Sequence, residues 1–118
     1  MGKILIVDDE PGVQKVLEIV LQSASLETQC VSNGRSAINA VNGGEISLIF
    51  LDCFLPDMDG IEVAKQIRNS AKGANVPIIF ISASAEKIQD IPAMKMSEKF
   101  VKPVPNDVLI NTAKKYVA

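Results

Sequence analysis

Four apolar runs in this 118-residue chain each end on a residue able to do chemistry: ILIV on Asp8 and Asp9, SLIFL on Asp52, PIIFI on Ser82, and FV on Lys102. If each run is a parallel strand, its end lies at the carboxyl edge of one sheet, where open α/β folds bind ligands. Three carboxylates, a hydroxyl and an ammonium would then converge from separate chain segments. Unit charges about 4 Å apart repel by about 4 kcal/mol at an effective dielectric near 20, so such acids call for a cation. Hard oxygen ligands with room left for water and phosphate suit Mg²⁺ better than an all-protein Ca²⁺ cage, and a chain without histidine or paired cysteines disfavours zinc. Asp8 and Asp9 are the residues to hold the metal. Lys102 offers a compact positive charge and Ser82 a hydroxyl donor, which the equatorial oxygens of a transferring phosphoryl group require. A carboxylate can itself attack phosphorus and form an aspartyl phosphate; Asp52, on a central strand and opening a long irregular loop, is the candidate nucleophile.

The elements that position these groups follow in order along the chain. Ile4–Val7 reads as a strand covered on both faces, and from Pro11 the residues Val13, Val16, Leu17, Val20 and Leu21 recur at helical spacing. Thr28–Val31 predicts a second strand, followed by a helix led in by Asn33 and Gly34 and stopped by Gly43 and Gly44. Ser47–Leu51 predicts a third strand, then a turn-rich loop in which Asp57 and Asp59 serve the turn with Gly60, then a helix carrying Val63, Ala64 and Ile67. Val76–Ile81 predicts strand four. Ala85, Ile88 and Ile91 predict only a short or distorted helix, because Pro92 ends the run. Phe100 and Val101 predict a brief fifth strand, and a last helix starts near Pro105. Strict alternation argues for a parallel sheet with helices on both faces.

Composition narrows the class further. The chain is 47% hydrophobic and 22% charged with a net charge of −2, as in an ordinary soluble domain, and it has no basic surface with which to grip nucleic acid. Its length fits one domain. No apolar run approaches a membrane span, no signal-peptide pattern leads the chain, and Cys30 and Cys53 lie in unrelated contexts, so the expectation is a cytoplasmic protein with reduced thiols. Cys53 adjoins the nucleophile, but without a histidine to activate it small loop filler is the expected role.

Taken together, ILIVDDE, LIFLDCFLPDMDGIEV, IIFISASA and FVKPV, in this order and spacing, resemble the receiver domain of two-component response regulators over essentially all of residues 1–118. The resemblance implies a flavodoxin-like, doubly wound (βα)5 fold with strand order 2-1-3-4-5. It implies that Asp52 accepts phosphate from a phosphohistidine, and that Mg²⁺ is bound by Asp9 and Asp52 directly, by Asp8 through water and by the backbone carbonyl of Phe54. It further implies that Ser82 and the Ala83 N–H bind the new phosphate oxygens beside Lys102, and that the Lys102–Pro103 bond is cis. A histidine kinase or a histidine phosphotransfer protein is the implied donor, docking around Gly12, Val13, Pro103 and Val104. The downstream protein or domain is not named by any motif, and a phosphorylation-dependent dimer is compatible with the resemblance. One position departs from the pattern: three residues before Lys102, where the family carries its switch aromatic, stands Lys99, with Phe100 one place later. The capture chemistry therefore reads as intact and the relay as altered.

Three other readings compete. An aspartyl-phosphate hydrolase would carry a second acid two residues past the nucleophile, and Phe54 stands there. A nucleotide-binding module would carry GxGxxG or GxxxxGK[ST] after a strand, and neither occurs. A receiver-like domain that binds without phosphorylation would lack one of the acids or the lysine, and all are present.

Overall fold

The computed structural model describes residues 2–117, leaving only Met1 and Ala118 of the expected domain outside. Its elements alternate as β1 (Lys3–Val7), α1 (Pro11–Ser23), β2 (Thr28–Val31), α2 (Gly34–Asn42), β3 (Ile46–Asp52), α3 (Gly60–Arg68), β4 (Ile78–Ser82), α4 (Ala85–Asp90), β5 (Ser97–Val101) and α5 (Asn106–Val117). All strands are parallel, in the order β2-β1-β3-β4-β5. The flavodoxin-like architecture expected from the resemblance is present.

Central strands bury both faces, which is why they read as unbroken apolar runs. Leu5, Val7, Ile49, Leu51, Ile78 and Phe80 pack toward Ala37, Val63, Ile67 and Ile88 on one side, while Ile4, Ile6, Phe50, Ile79 and Ile81 pack toward Leu17, Leu21, Leu109 and Ala113 on the other. Helices α2, α3 and α4 thus cover one face and α1 and α5 its opposite. This alternation along each strand sends neighbouring residues to different helical layers.

β1 and β3 differ from expectation by a residue at one or both ends, and β4 and β5 differ more. β4 begins at Ile78 rather than Val76, because Pro77 has no N–H to give a ladder and the Val76 N–H turns back to the Gly73 carbonyl. It also extends to Ser82, which pairs with Val101. β5 begins at Ser97, three residues before the apolar pair, since backbone pairing from Ile78↔Ser97 onward supplies the register that the polar side chains conceal. On an edge strand polar residues are no obstacle, because one side faces solvent. Helix α4 is short, as expected from Pro92, and ends at Asp90 with Ile91 as its C-cap.

Asp57 does a different job from the one expected. Its carboxylate reaches across to α2, accepting the Gly34 N–H at 2.7 Å and the Arg35 N–H at 3.0 Å. These two bonds hold its carboxyl below the ordinary 3.8. A lowered carboxyl adds stability above its unfolded value and loses it as pH falls through the folded one. Acidification below about pH 4 is therefore expected to lower the urea midpoint more steeply in the parent than in Asp57→Ala. Parallel curves for the two proteins would contradict a stabilising role for these two bonds.

Candidate functional site

The strand order sets four chain segments side by side, and backbone bonds hold their carboxyl ends together. The Asp8 N–H bonds the Val31 carbonyl at 3.2 Å, the Cys53 N–H bonds Ile81 at 3.3 Å and the Lys102 N–H bonds Ser82 at 2.8 Å. Side chains at these ends consequently meet without any long loop having to close.

Asp8 is 2% exposed, Asp52 7% and Ser82 fully buried, so this is a desolvated acidic centre. Lys102 bridges it: its Nζ donates to Asp8 Oδ2 at 2.9 Å and to Asp52 Oδ2 at 3.4 Å. The remaining oxygens are held as well, since Asp8 Oδ1 accepts the Glu10 N–H at 2.9 Å and Asp52 Oδ1 accepts the Phe54 N–H at 3.2 Å. Burial raises the Asp52 carboxyl above its ordinary range, and the Asp8 charge adds to this against the opposing Phe54 N–H and Lys102. For Lys102 burial pulls downward, but the Asp8 bond and the two negative charges outweigh it and raise the ammonium. Lysine thus stays charged where the carboxylates most need it.

Ser82 ends β4 with its Oγ accepting the Ser84 N–H at 3.1 Å, while Ala83 between them is exposed. Ser84 caps α4 by accepting the Lys87 N–H at 3.1 Å. Phe54 is 54% exposed. Asp9 is exposed and forms no ion pair with Lys102; its carboxylate lies with those of Asp8 and Glu10 in a group in which one oxygen from each lies within 4.8 Å of the others. Asp52 stands outside that group and joins it through Asp8 and Lys102. The Lys102–Pro103 bond is cis.

The donor set suits a hard divalent cation. Three carboxylates sit close with nothing but oxygen to offer, and buried Asp8 and Asp52 face each other across a single ammonium. Mg²⁺ fits this chemistry. A soft-metal reading fails on the thiols: Cys53 is buried in the core with its thiol pushed up to about 11 by burial and by the Asp52 charge, and Cys30 is raised to about 11 by burial and Glu18.

Three residues here were not singled out for this role from sequence. Glu10 was visible as a third acid in the DDE run. Gln14 was not, because only the fold shows its Nε2 serving the Asp8 carbonyl, the Val31 carbonyl and Ser32 Oγ together. Lys87 was hidden as an ordinary helical lysine, yet it bonds the Asp59 carboxylate and lies 5.7 Å from the Phe54 ring centroid.

Beside this edge runs an apolar groove of about 450 Å³ between the starts of α1 and α5, lined by Gly12, Val13, Val16, Pro103, Val104 and Leu109 among others. Val16 and Ile19 stand 56% exposed along the same helix. No helix among the described residues is long and apolar enough to cross a membrane.

Comparison with known proteins converges on one family. The family model for the response regulator receiver domain matches residues 4–114. The transcriptional regulatory protein SrrA of Staphylococcus aureus is 33% identical over 112 residues, which is 92% of this chain but 45% of SrrA, so the chain spans about half the length of that curated relative. The response regulator TrrA of Thermotoga maritima, solved in complex with Mg²⁺ and BeF, superposes with a TM-score of 0.89 at 32% identity, covering 99% of this chain and 100% of TrrA. The receiver domain of the sensor histidine kinase PA1611 of Pseudomonas aeruginosa, with magnesium coordinated in its active-site cleft, gives a TM-score of 0.87 at 28% identity and 98% coverage of both chains.

Proposed function

Because this chain belongs to the response regulator receiver family, we propose that Asp52 is its phosphoacceptor, and that the Lys102 bridge between the buried Asp8 and Asp52 is the observation that carries this reading. An Asp52 oxygen attacks phosphorus of a phosphohistidine in line; the O–P bond forms as the N–P bond breaks, and the imidazole nitrogen leaves with the electron pair. Lys102, already charged and aimed at Asp52, offsets charge on the transferring group. Ser82 is one residue from the open rim and supplies a hydroxyl to a phosphate oxygen, with the Ala83 N–H beside it. Asp8, Asp9 and Asp52, with the Phe54 carbonyl, would hold Mg²⁺, which when bound neutralises phosphoryl and carboxylate charge. The product is a switch with slow self-hydrolysis rather than a turnover enzyme: Phe54 occupies the place where a leaving-group acid would stand.

A histidine kinase or phosphotransfer protein in the cytoplasm is the proposed donor, since the chain has no histidine of its own. The groove around Val13, Val16 and Val104 is its proposed seat, an apolar patch beside the chemistry. Val16→Asp is expected to slow transfer from the phosphohistidine donor by about tenfold, the scale of one lost interface anchor, while leaving uptake from acetyl phosphate unchanged. Equal slowing with both donors would remove the groove from the docking surface.

The acceptor reading is tested by incubating the chain with acetyl phosphate and Mg²⁺ and weighing it intact. One phosphoryl group per chain, labile to hydroxylamine and absent with EDTA, is the expected result. Continuous phosphate release from simple monoesters would instead make it a hydrolase.

A further inference from the structure

Two lines of contact leave the acceptor pocket, and both arrive at Lys87. Along the first, the Phe54 N–H holds Asp52 Oδ1, Phe54 pairs with Asp59 in an antiparallel bridge, and the Phe54 ring lies 5.7 Å from Lys87 Nζ. Lys87 also bonds Asp59 Oδ2, while Asp59 Oδ1 caps α3 by accepting the Ile61 N–H at 2.8 Å. Along the second, Ser82 Oγ accepts the Ser84 N–H and Ser84 Oγ accepts the Lys87 N–H. The Lys87 side chain is only 18% exposed, unusual confinement for a lysine.

The β5 route to the same helix is closed. Lys99 pairs with Phe80 and is exposed, and Phe100 packs against the α1 and α5 layer, on the face of the sheet away from α4. Among the described residues, no aromatic of β5 faces α4. Helix α4 itself has six residues, too few to be stable by its own hydrogen bonds, so its placement depends on tertiary contacts such as those of Lys87.

We propose that Lys87 is the relay by which the phosphorylation state of Asp52 sets the position of α4, an inference that rests on Asp52 being the acceptor. Phosphorylation puts roughly two negative charges where one stood and gives the Phe54 N–H and Ser82 hydroxyl new acceptor oxygens. Both lines are disturbed at their origin, and the new charge competes with Asp59 for the Lys87 ammonium. Loss of that ion pair frees α4 from the β3–α3 loop. By linkage, what loosens the pair also changes the affinity of the pocket for a phosphoryl mimic.

Hydrogen exchange of residues 85–90, with and without beryllofluoride and Mg²⁺, tests this in the parent, Lys87→Met, Asp59→Asn and the double variant. Asn retains an oxygen for the α3 cap, and Met keeps the aliphatic stem of the half-buried Lys87 without its charge, so both variants are expected to keep the fold. The parent is expected to change its α4 exchange by about threefold on adding the mimic. Each variant should exchange faster beforehand and show under about a third of that response, with the double variant no different from the singles. An undiminished response in the variants, or additive effects, would overturn the relay. So would an unchanged α4 in a parent that gains one phosphoryl group on Asp52 from acetyl phosphate. If Asp52 takes none, the acceptor reading falls and this inference with it.

Discussion

Asp52→Asn is expected to abolish phosphoryl uptake from acetyl phosphate while making the free protein more stable, by about 1–2 kcal/mol. Loss of uptake follows because an amide cannot attack phosphorus to form the acyl phosphate. The gain follows from the same burial that raises the Asp52 carboxyl. A carboxylate whose folded value lies above its unfolded one opposes folding increasingly as pH rises from the unfolded value through the folded one. Asparagine keeps one oxygen, for the Phe54 N–H, while Lys102 retains its bond to Asp8, and the substitution removes the negative charge facing Asp8. Urea unfolding of the two proteins without divalent cation measures the difference, and intact mass after acetyl phosphate measures uptake. Added Mg²⁺ is expected to stabilise the parent more than the variant, since binding to the native state adds to stability in proportion to occupancy. Residual uptake above about a tenth of the parent's would assign the phosphate elsewhere and sink the proposal.

Much of this site was legible because its parts lie at the ends of hydrophobic runs. Ile4–Val7 and Leu48–Leu51 are buried on both faces, so the first polar residue after each run had to mark the sheet edge. Asp8, Asp52, Ser82 and Lys102 were found this way, and the sheet order sets all four along one edge. What sequence concealed was of two kinds. β5 pairs through backbone groups, so Ser97, Glu98 and Lys99 carried no apolar signal even though their register is regular. Asp57, Gln14 and Lys87 act across 23, 17 and 28 residues respectively, and no local spacing encodes such partners. Asp57 looked like a turn former, which its loop position allowed, but its charge is used at the N-terminus of α2, where free N–H groups attract a carboxylate. The position of Lys99 was informative in another way. Its exposure and the packing of Phe100 toward α1 and α5 show why the sequence departure at this place has a structural counterpart.

Gly60→Ala is expected to cost about 2–3 kcal/mol, toward the upper end for overpacking, and to slow phosphoryl uptake by at least about tenfold. Gly60 follows the Asp59 cap at the start of α3, and its N–H bonds the Cys53 carbonyl at 2.9 Å. A Cβ there would lie 2.6 Å from the Asp52 carbonyl oxygen and 2.7 Å from Cys53 Cα. Both are main-chain atoms, of the nucleophile and of the residue after it, so no side chain can rotate away to relieve the contact. Alanine ordinarily favours a helix over glycine by up to about 1 kcal/mol, and here the steric term exceeds it. Either α3 retreats or the end of β3 shifts, and the second moves Asp52 relative to Lys102. Gly12→Ala is the matched control: nothing lies within 4 Å of its added methyl group, and it sits in α1. That variant is expected to be neutral or more stable by up to about 1 kcal/mol, with uptake unchanged. Urea unfolding and the rate of labelling by acetyl phosphate distinguish the two substitutions. Should Gly60→Ala behave like Gly12→Ala, the close approach of α3 would have no part in holding Asp52 in place.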